Sequence, residues 1–319
     1  MFDQAQRQAL LARWRSLMDH PQVKRGLKLL QYGLFAAIVA YLLFRFSEVG
    51  WREVINALPA SPWFYLFFTL RFFALPISEL AIYEMIWRVP LLQHFPAFIR
   101  KRVYNFAVMG YSGEGFLTLW ARRALPLPTK QIVVGVKDNN LLSALTSNLA
   151  TVVIVLFVAA NGILFISFEA LPPGASFLFA TAFLIALVLS ITVLTFRKKL
   201  IALSAAKMRV LMGVHAIRTT LILCISVGMY ASAIPSAPLF AWLMFLALHL
   251  VLSRIPFIPN QDLFYLGAAL SLSGIVGASE AAVAGMLLAE AGLSQLVNLI
   301  MFFATAYLAN RESQPLTEQ

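Results

Sequence analysis

The stretch Gly110–Arg123, GYSGEGFLTLWARR, places three glycines, a carboxylate and two arginines in a run that is otherwise apolar. Arg100, Lys101 and Arg102 stand just before this run, and Arg122 and Arg123 close it. Lys and Arg concentrate at the cytoplasmic ends of membrane segments. Basic residues at both ends therefore predict that Val103–Ala121 enters and returns on one side. The turn falls where Gly110, Gly113 and Gly115 free the backbone.

The rest of the chain supports a membrane setting. Of 319 residues, 61% are hydrophobic and 12% charged, against about 45–50% and about 25% in a soluble domain. The net charge of +11 would point to nucleic acid in a soluble protein. Here the basic residues lie between apolar runs, which assigns them to orientation and to anionic lipid. Cys224 has no partner for an internal disulfide and reads as a buried, inert thiol. His20, His94, His215 and His249 show no ligand spacing, so no metal is expected. No phosphate-binding glycine–lysine loop and no Ser–His–Asp or Cys–His arrangement stand out. The chain therefore reads as transporter-like rather than enzymatic, without cofactor or nucleotide site.

Spanning takes roughly 20 apolar residues. Runs near that length are Leu27–Phe46, Trp63–Trp87, Leu141–Ile166, Ser176–Phe196, Leu211–Ser232, Leu239–Leu252 and a short Leu296–Asn310. The fold class expected is an all-α integral membrane protein with about seven spanning helices and two glycine-broken re-entrant hairpins. Residues 1–26 form a leader in which Phe2, Ala5, Ala9, Leu10, Trp14, Leu17 and Met18 recur at helical spacing among arginines. That pattern fits an amphipathic cytoplasmic helix. Residues 27–310 form one polytopic domain and 311–319 a polar tail. Basic clusters before the first span, after the second, and at Arg197–Lys199 with Lys207 and Arg209 place the amino terminus in the cytoplasm. A short interfacial helix is expected around Trp51.

A second interrupted run, Leu263–Leu288, breaks at Ser273, Gly274, Gly277 and Ser279. Gly274 and Gly277 repeat the spacing of Gly110 and Gly113, and Glu280 matches Glu114 nearly, two residues out of register. The chain thus reads as a pseudo-repeat of two halves. Paired broken segments in corresponding halves mark the central site of many transporters, because irregular backbone at membrane depth must be buried or line a wet cavity. The competing reading is that Gly and Ser bring helices together and the glutamates sit at helix N-termini.

Ionisable residues at membrane depth cost roughly 2.5–3.5 kcal/mol each and seek partners or water. Arg71 and Glu79, about two turns apart, are expected to find partners on other helices. Glu84 and Arg88 are spaced for an i,i+4 pair. On the third span Lys137, Asn140, Ala144, Ser147 and Asn148 share a face, which either lines a headgroup cavity with Glu114 or holds helices together.

At the two broken runs the chain resembles the flippase-like transmembrane region of lysylphosphatidylglycerol synthases and the standalone bacterial membrane proteins that share it. That family has a Pro-Gly-Arg-x-Gly-Glu element with a basic end, matched here by Gly110, Gly113, Glu114, Arg122 and Arg123. Its later Pro-Gly-Gly-Leu-Gly-x-x-Glu-Ala-Ala element is matched by Gly274, Gly277, Glu280, Ala281 and Ala282. Met109 and Ser273 stand where the family has proline, Tyr111 replaces its arginine, and Ser279 replaces an arginine before the second glutamate. The lysyl-transferring domain is absent.

The resemblance implies a bacterial inner-membrane protein that binds a phospholipid or lipid-linked glycan and translocates it in a flippase- or scramblase-like way. The binding residues expected are Gly110, Gly113, Glu114, Arg122, Arg123, Gly274, Gly277 and Glu280, supported by Arg71, Glu79, Lys137, Asn140 and Asn148. The alternative is a non-transporting scaffold or regulator of an envelope lipid or polysaccharide synthesis complex, acting as a homo-oligomer or with a synthesis partner. A transferase would require an acid–base pair, and Glu79 with Glu114 is the pairing available.

Overall fold

The computed structural model describes residues 51–108, 111–160, 175–254 and 261–312. The leader 1–26, the expected span Leu27–Phe46, Gly110 and residues 313–319 of the tail lie outside the described residues. Among the described residues every regular element is helical. In chain order they are α1 (Trp51–Asn56), α2 (Pro62–Trp87), α3 (Phe95–Val103), α4 (Ser112–Ala124), α5 (Thr129–Ala160), α6 (Ala175–Thr195), α7 (Ala205–Ala233), α8 (Leu239–Leu252), α9 (Gln261–Ser271) and α10 (Glu280–Glu312). Short helical turns at Leu92–His94, Arg197–Leu200 and Ser273–Val276 join them, and a π-helical turn, Tyr104–Val108, extends α3.

Local sequence sets these boundaries. Proline opens α2 at Pro62 behind an extended Ser61, where a missing N–H costs nothing. The helix ends at Arg88 in the left-handed region, φ 58°, two residues before Pro90 blocks continuation. Pro76 lies inside α2 and removes one backbone hydrogen bond at membrane depth. The Ser204 hydroxyl caps α7 by accepting the Lys207 N–H at 3.4 Å.

Four helical stretches are long and apolar enough to cross a membrane: Pro62–Trp87, Thr129–Ala160, Ala205–Ala233 and Glu280–Thr305. At about 1.5 Å per residue each exceeds the roughly 30 Å hydrocarbon core. Phe183–Thr195 and Leu239–Leu252 are shorter apolar helices. The chain is therefore an all-α membrane protein. Two expected boundaries move. The third span begins at Thr129 rather than Leu141, so Lys137 and Asp138 lie within helix. Leu296–Asn310 is not a separate span, because α10 runs unbroken from Glu280 to Glu312 and absorbs it.

Helices α2 and α7 pack antiparallel along their length and divide the interior into two cores. At one end Phe64 and Phe68 meet Met229, Tyr230, α8, and the residues Leu266, Ala269, Val283 and Met286 of α9 and α10. At the other end Tyr83, Ile86 and Trp87 meet Phe98, Leu117, Ala121, Ile132, Met208 and Leu211. The two interrupted elements thus pack at opposite ends of one helix pair. Outward faces are apolar, with Leu66, Leu70, Ile77, Leu189, Ile191 and Phe303 exposed, as suits lipid rather than water. Cys224 is exposed on α7 and so corrects its expected burial. The residue sits on the outward side of α7 instead of in the core.

Candidate functional site

Helices α3 and α4 lie side by side, joined by the π turn and the residues up to Tyr111. Tyr111 adopts the left-handed conformation at φ 67° and sends the chain back. Non-glycine residues rarely do this, and such strain clusters at functional turns. Gly113 then makes the close approach possible. A Cβ there would stand 2.1 Å from the Lys101 carbonyl oxygen and 2.8 Å from the Asn105 side chain. In its absence the Gly113 N–H donates to Asn105 Oδ1 at 2.7 Å, and the Ser112 hydroxyl donates to the Tyr104 carbonyl at 2.7 Å.

The tight packing brings three charges together. Lys101 is only 1% exposed. Its ammonium donates to Glu79 of α2 and lies 3.2 Å from Glu114 Oε1 at the start of α4. The Tyr83 ring centroid is 5.8 Å from the same nitrogen, and the Tyr83 hydroxyl accepts the Asn139 amide at 3.2 Å. One ammonium thus lies between two carboxylates, the kind of pairing that a buried charge requires. Glu114 Oε2 is buried with no hydrogen-bond partner among the described residues. It is an acceptor held open beside the turn.

The sequence reading took Arg100, Lys101 and Arg102 as basic residues marking the cytoplasmic end of the run. In the structure Lys101 is buried and Arg100 and Arg102 are half-buried. All three lie on a limb that starts at Phe95, ahead of the expected Val103. Arg102 lies over the Phe72 ring at 3.8 Å and the Phe106 ring at 4.7 Å and donates to Asn298 Oδ1 at 2.8 Å. Arg100 lies 5.6–5.8 Å from the rings of Tyr104, Phe116 and Phe302.

Other candidates fall in different places. Arg71 pairs with Glu290 of α10 and reaches Ser226 Oγ at 3.4 Å, so both Arg71 and Glu79 find partners on other helices. Glu84 does not pair with Arg88; its carboxylate accepts the Leu91 N–H at 2.6 Å, because Arg88 leaves the helix in the left-handed region. Arg122 and Arg123 are exposed at the far end of α4, about 12 Å along the axis from Glu114. Lys137 donates to the Leu200 carbonyl and lies 2.9 Å from Asp138 Oδ1. It ties α5 to the turn after α6 rather than facing Glu114. Asp138, which the sequence did not single out, accepts the Ala202 and Leu203 N–H groups at 2.9 and 3.1 Å. Asn148 is buried, Asn140 half-buried and Ala144 exposed, so the proposed wet face of α5 is not one face of the interior.

At the second break Gly277 takes φ 67°, and the Ser279 hydroxyl accepts the Ala282 N–H at 3.2 Å at the head of α10. Gly274 is exposed, and a Cβ there meets nothing. Glu280 is half-buried in the first turn of α10. The backbone supplies the register of the repeat. Tyr111 and Gly277 share the left-handed turn, and each precedes a glutamate, Glu114 or Glu280, by three residues. The structural repeat aligns Tyr111 with Gly277, whereas glycine spacing aligned Gly113 with Gly277.

Polar residues that the sequence reading passed over complete the interior. His215 is fully buried, and neither ring nitrogen has a partner among the described residues. It lies on α7 within electrostatic reach of Lys101 and three residues from Arg218. Arg218 is buried and donates to Ser143 Oγ of α5 at 2.9 Å. Arg254, just past α8, donates to Ser147 Oγ. A histidine and an arginine inside the run Leu211–Ser232 were visible signals, since charge at membrane depth is costly unless used. Comparison of the chain with known protein families, with curated proteins and with solved structures yields no match.

Proposed function

We propose that the protein binds the polar headgroup of a phospholipid or lipid-linked glycan and moves it across a bacterial inner membrane, as a flippase or scramblase does. The observation that carries this reading is the buried Glu79–Lys101–Glu114 group at the turn between α3 and α4. Charges of this kind are costly in a membrane protein and mark substrate or proton pathways. In this reading α3–α4 is a re-entrant hairpin, α10 crosses after the second break, and Leu27–Phe46 is a further span, giving about seven with a cytoplasmic amino terminus. The resemblance to the flippase-like region of lysylphosphatidylglycerol synthases supports the same assignment through Gly113, Glu114, Gly277 and Glu280.

The roles follow from the geometry. Lys101 pairs with both carboxylates while the site is empty. Glu114 Oε2 accepts a hydroxyl or ammonium of the incoming headgroup, and its interaction with Lys101 loosens as it does. Arg122 and Arg123 draw anionic headgroups toward α4 from the membrane surface. Glu280, at the equivalent position of the second element, receives the cargo on the other half of the pseudo-repeat. The reading is tested with proteoliposomes carrying a trace of headgroup-proximal fluorescent phosphatidylglycerol. Dithionite quenching beyond the outer-leaflet fraction is the expected result, and quenching that stops at the protein-free level for phospholipid and lipid-linked glycan alike would reject it.

A further inference from the structure

Among the described residues, buried and half-buried cations are covered in three different ways. Arg71 has the Glu290 carboxylate, and Lys101 has Glu79 and Glu114. Arg102 has two aromatic faces and an amide oxygen. Arg218 and Arg254 have neither. Each donates to a serine hydroxyl, Ser143 or Ser147, and among the described residues no carboxylate lies within ion-pair distance of either guanidinium. A hydroxyl satisfies one donor but neutralises no charge. Arginine cannot shed its proton; Glu79 acts on Arg218 only through space, and with no carboxylate at ion-pair distance the two positive charges leave room for an anionic ligand.

The two arginines converge although they come from different helices. Ser143 and Ser147 are four residues apart on α5, hence one turn apart on one face. Arg218 reaches this face from α7 and Arg254 from the end of α8. Arg254 Nε is buried without a hydrogen-bond partner among the described residues, leaving a donor directed inward. Tyr111, the left-handed residue at the tip of the first turn, is close enough to Arg254 to interact with it electrostatically. His215 is within electrostatic reach of both Arg218 and Lys101.

Two guanidinium forks with two hydroxyls between them match a phosphate. Each fork offers parallel N–H donors to a pair of phosphate oxygens, and serine hydroxyls donate to the remaining ones. We infer that Arg218, Arg254, Ser143 and Ser147 form a phosphate-binding site, which in the bilayer takes the phosphate of a lipid headgroup while Glu114 takes the headgroup's own hydroxyl or ammonium. The inference rests on the lipid-translocation reading for its cargo, and it narrows that cargo to phosphate-bearing amphiphiles. The site also supplies cationic groups to a chain whose hairpin carries Tyr111 and Ser279 where its resemblance family carries arginine.

Binding, measured apart from transport, tests it. The full chain is purified in neutral detergent, and its unfolding midpoint and lipid retention by native mass spectrometry are followed with phosphatidylglycerol, diacylglycerol or inorganic phosphate. Phosphatidylglycerol is expected to be retained about tenfold more than diacylglycerol, with Arg218→Gln and Arg254→Gln each removing that preference. Ser143→Ala and Ser147→Ala keep both charges and should lower retention only a few-fold, which guards against a misfolded arginine variant. A response to inorganic phosphate alone, lost in the same variants, would keep the site and assign it a free anion. Equal retention of phosphatidylglycerol and diacylglycerol by wild type, without any phosphate response, overturns the inference. If phosphate binding fails while vesicle scrambling still depends on Glu114, the transport reading stands without this site. If binding holds and scrambling is absent, the site stands and the transport reading falls.

Discussion

The two interrupted elements share a backbone device and differ in what surrounds it. Both turn through a left-handed residue at φ 67° three positions before a glutamate that opens a helix. At the first, the turn residue is Tyr111 and the tight position is Gly113, whose neighbours leave no room for a Cβ. At the second, Gly277 is required by its dihedral angle alone and Gly274 by nothing within 4 Å. The first packs a lysine and two carboxylates against its turn. The second packs beside an apolar core. Similar glycine spacing therefore reflects two causes, close approach in one element and backbone conformation in the other. The charge of the site belongs to the first element.

The comparison breaks most readily at Lys101. Lys101→Met leaves Glu79 and Glu114 buried together without a cation and should lower unfolding free energy by about 3–5 kcal/mol. Denaturant titration in mixed micelles measures it, and adding Glu79→Gln should restore a large part. A small loss would mean that water already reaches the group. Gly113→Ala comes next, at about 1–3 kcal/mol, since α3 and α4 must separate to admit the methyl group. The two hinges then make a reciprocal pair: Gly277→Ala should lose about 1–2 kcal/mol, whereas Tyr111→Gly should gain about 1 kcal/mol if its left-handed turn is strained. Equal responses of opposite sign would sharpen the structural repeat, and a loss at Tyr111→Gly would show that the ring, not the turn, is what the position needs. Gly274→Ala should stay within about 0.5 kcal/mol, and a cost like that of Gly113 would erase the distinction.

Much of the fold was legible because apolar length and glycine interruption have direct physical meaning. The runs at 63–87, 211–232 and 239–252 correspond closely to α2, α7 and α8, and both breaks fall near their expected glycines. The limits have physical causes too. Positive-inside reasoning treats a basic triplet as solvated charge, but Lys101 turns inward because two carboxylates from separate segments, Glu79 and Glu114, await it. Such pairing spans 22 and 13 residues of sequence and has no local signature. The fusion of the second limb with the last apolar run into α10 was hidden by Ser, Gly and Gln residues that a packed helix tolerates. For α5, helical periodicity gives which residues share a face, not which of them the neighbours cover. Arg218 and His215, by contrast, are readable in the sequence as ionisable groups at membrane depth.

The central claim is that the acidic group at the first turn handles the cargo during translocation. The direct measurement is phosphatidylglycerol scrambling in proteoliposomes by wild type, Glu114→Gln and Gly274→Ala at matched reconstitution. The account predicts that Glu114→Gln slows scrambling at least about tenfold, the order expected when a charged contact is lost, while Gly274→Ala runs at the wild-type rate. Wild-type scrambling by folded Glu114→Gln protein would contradict it.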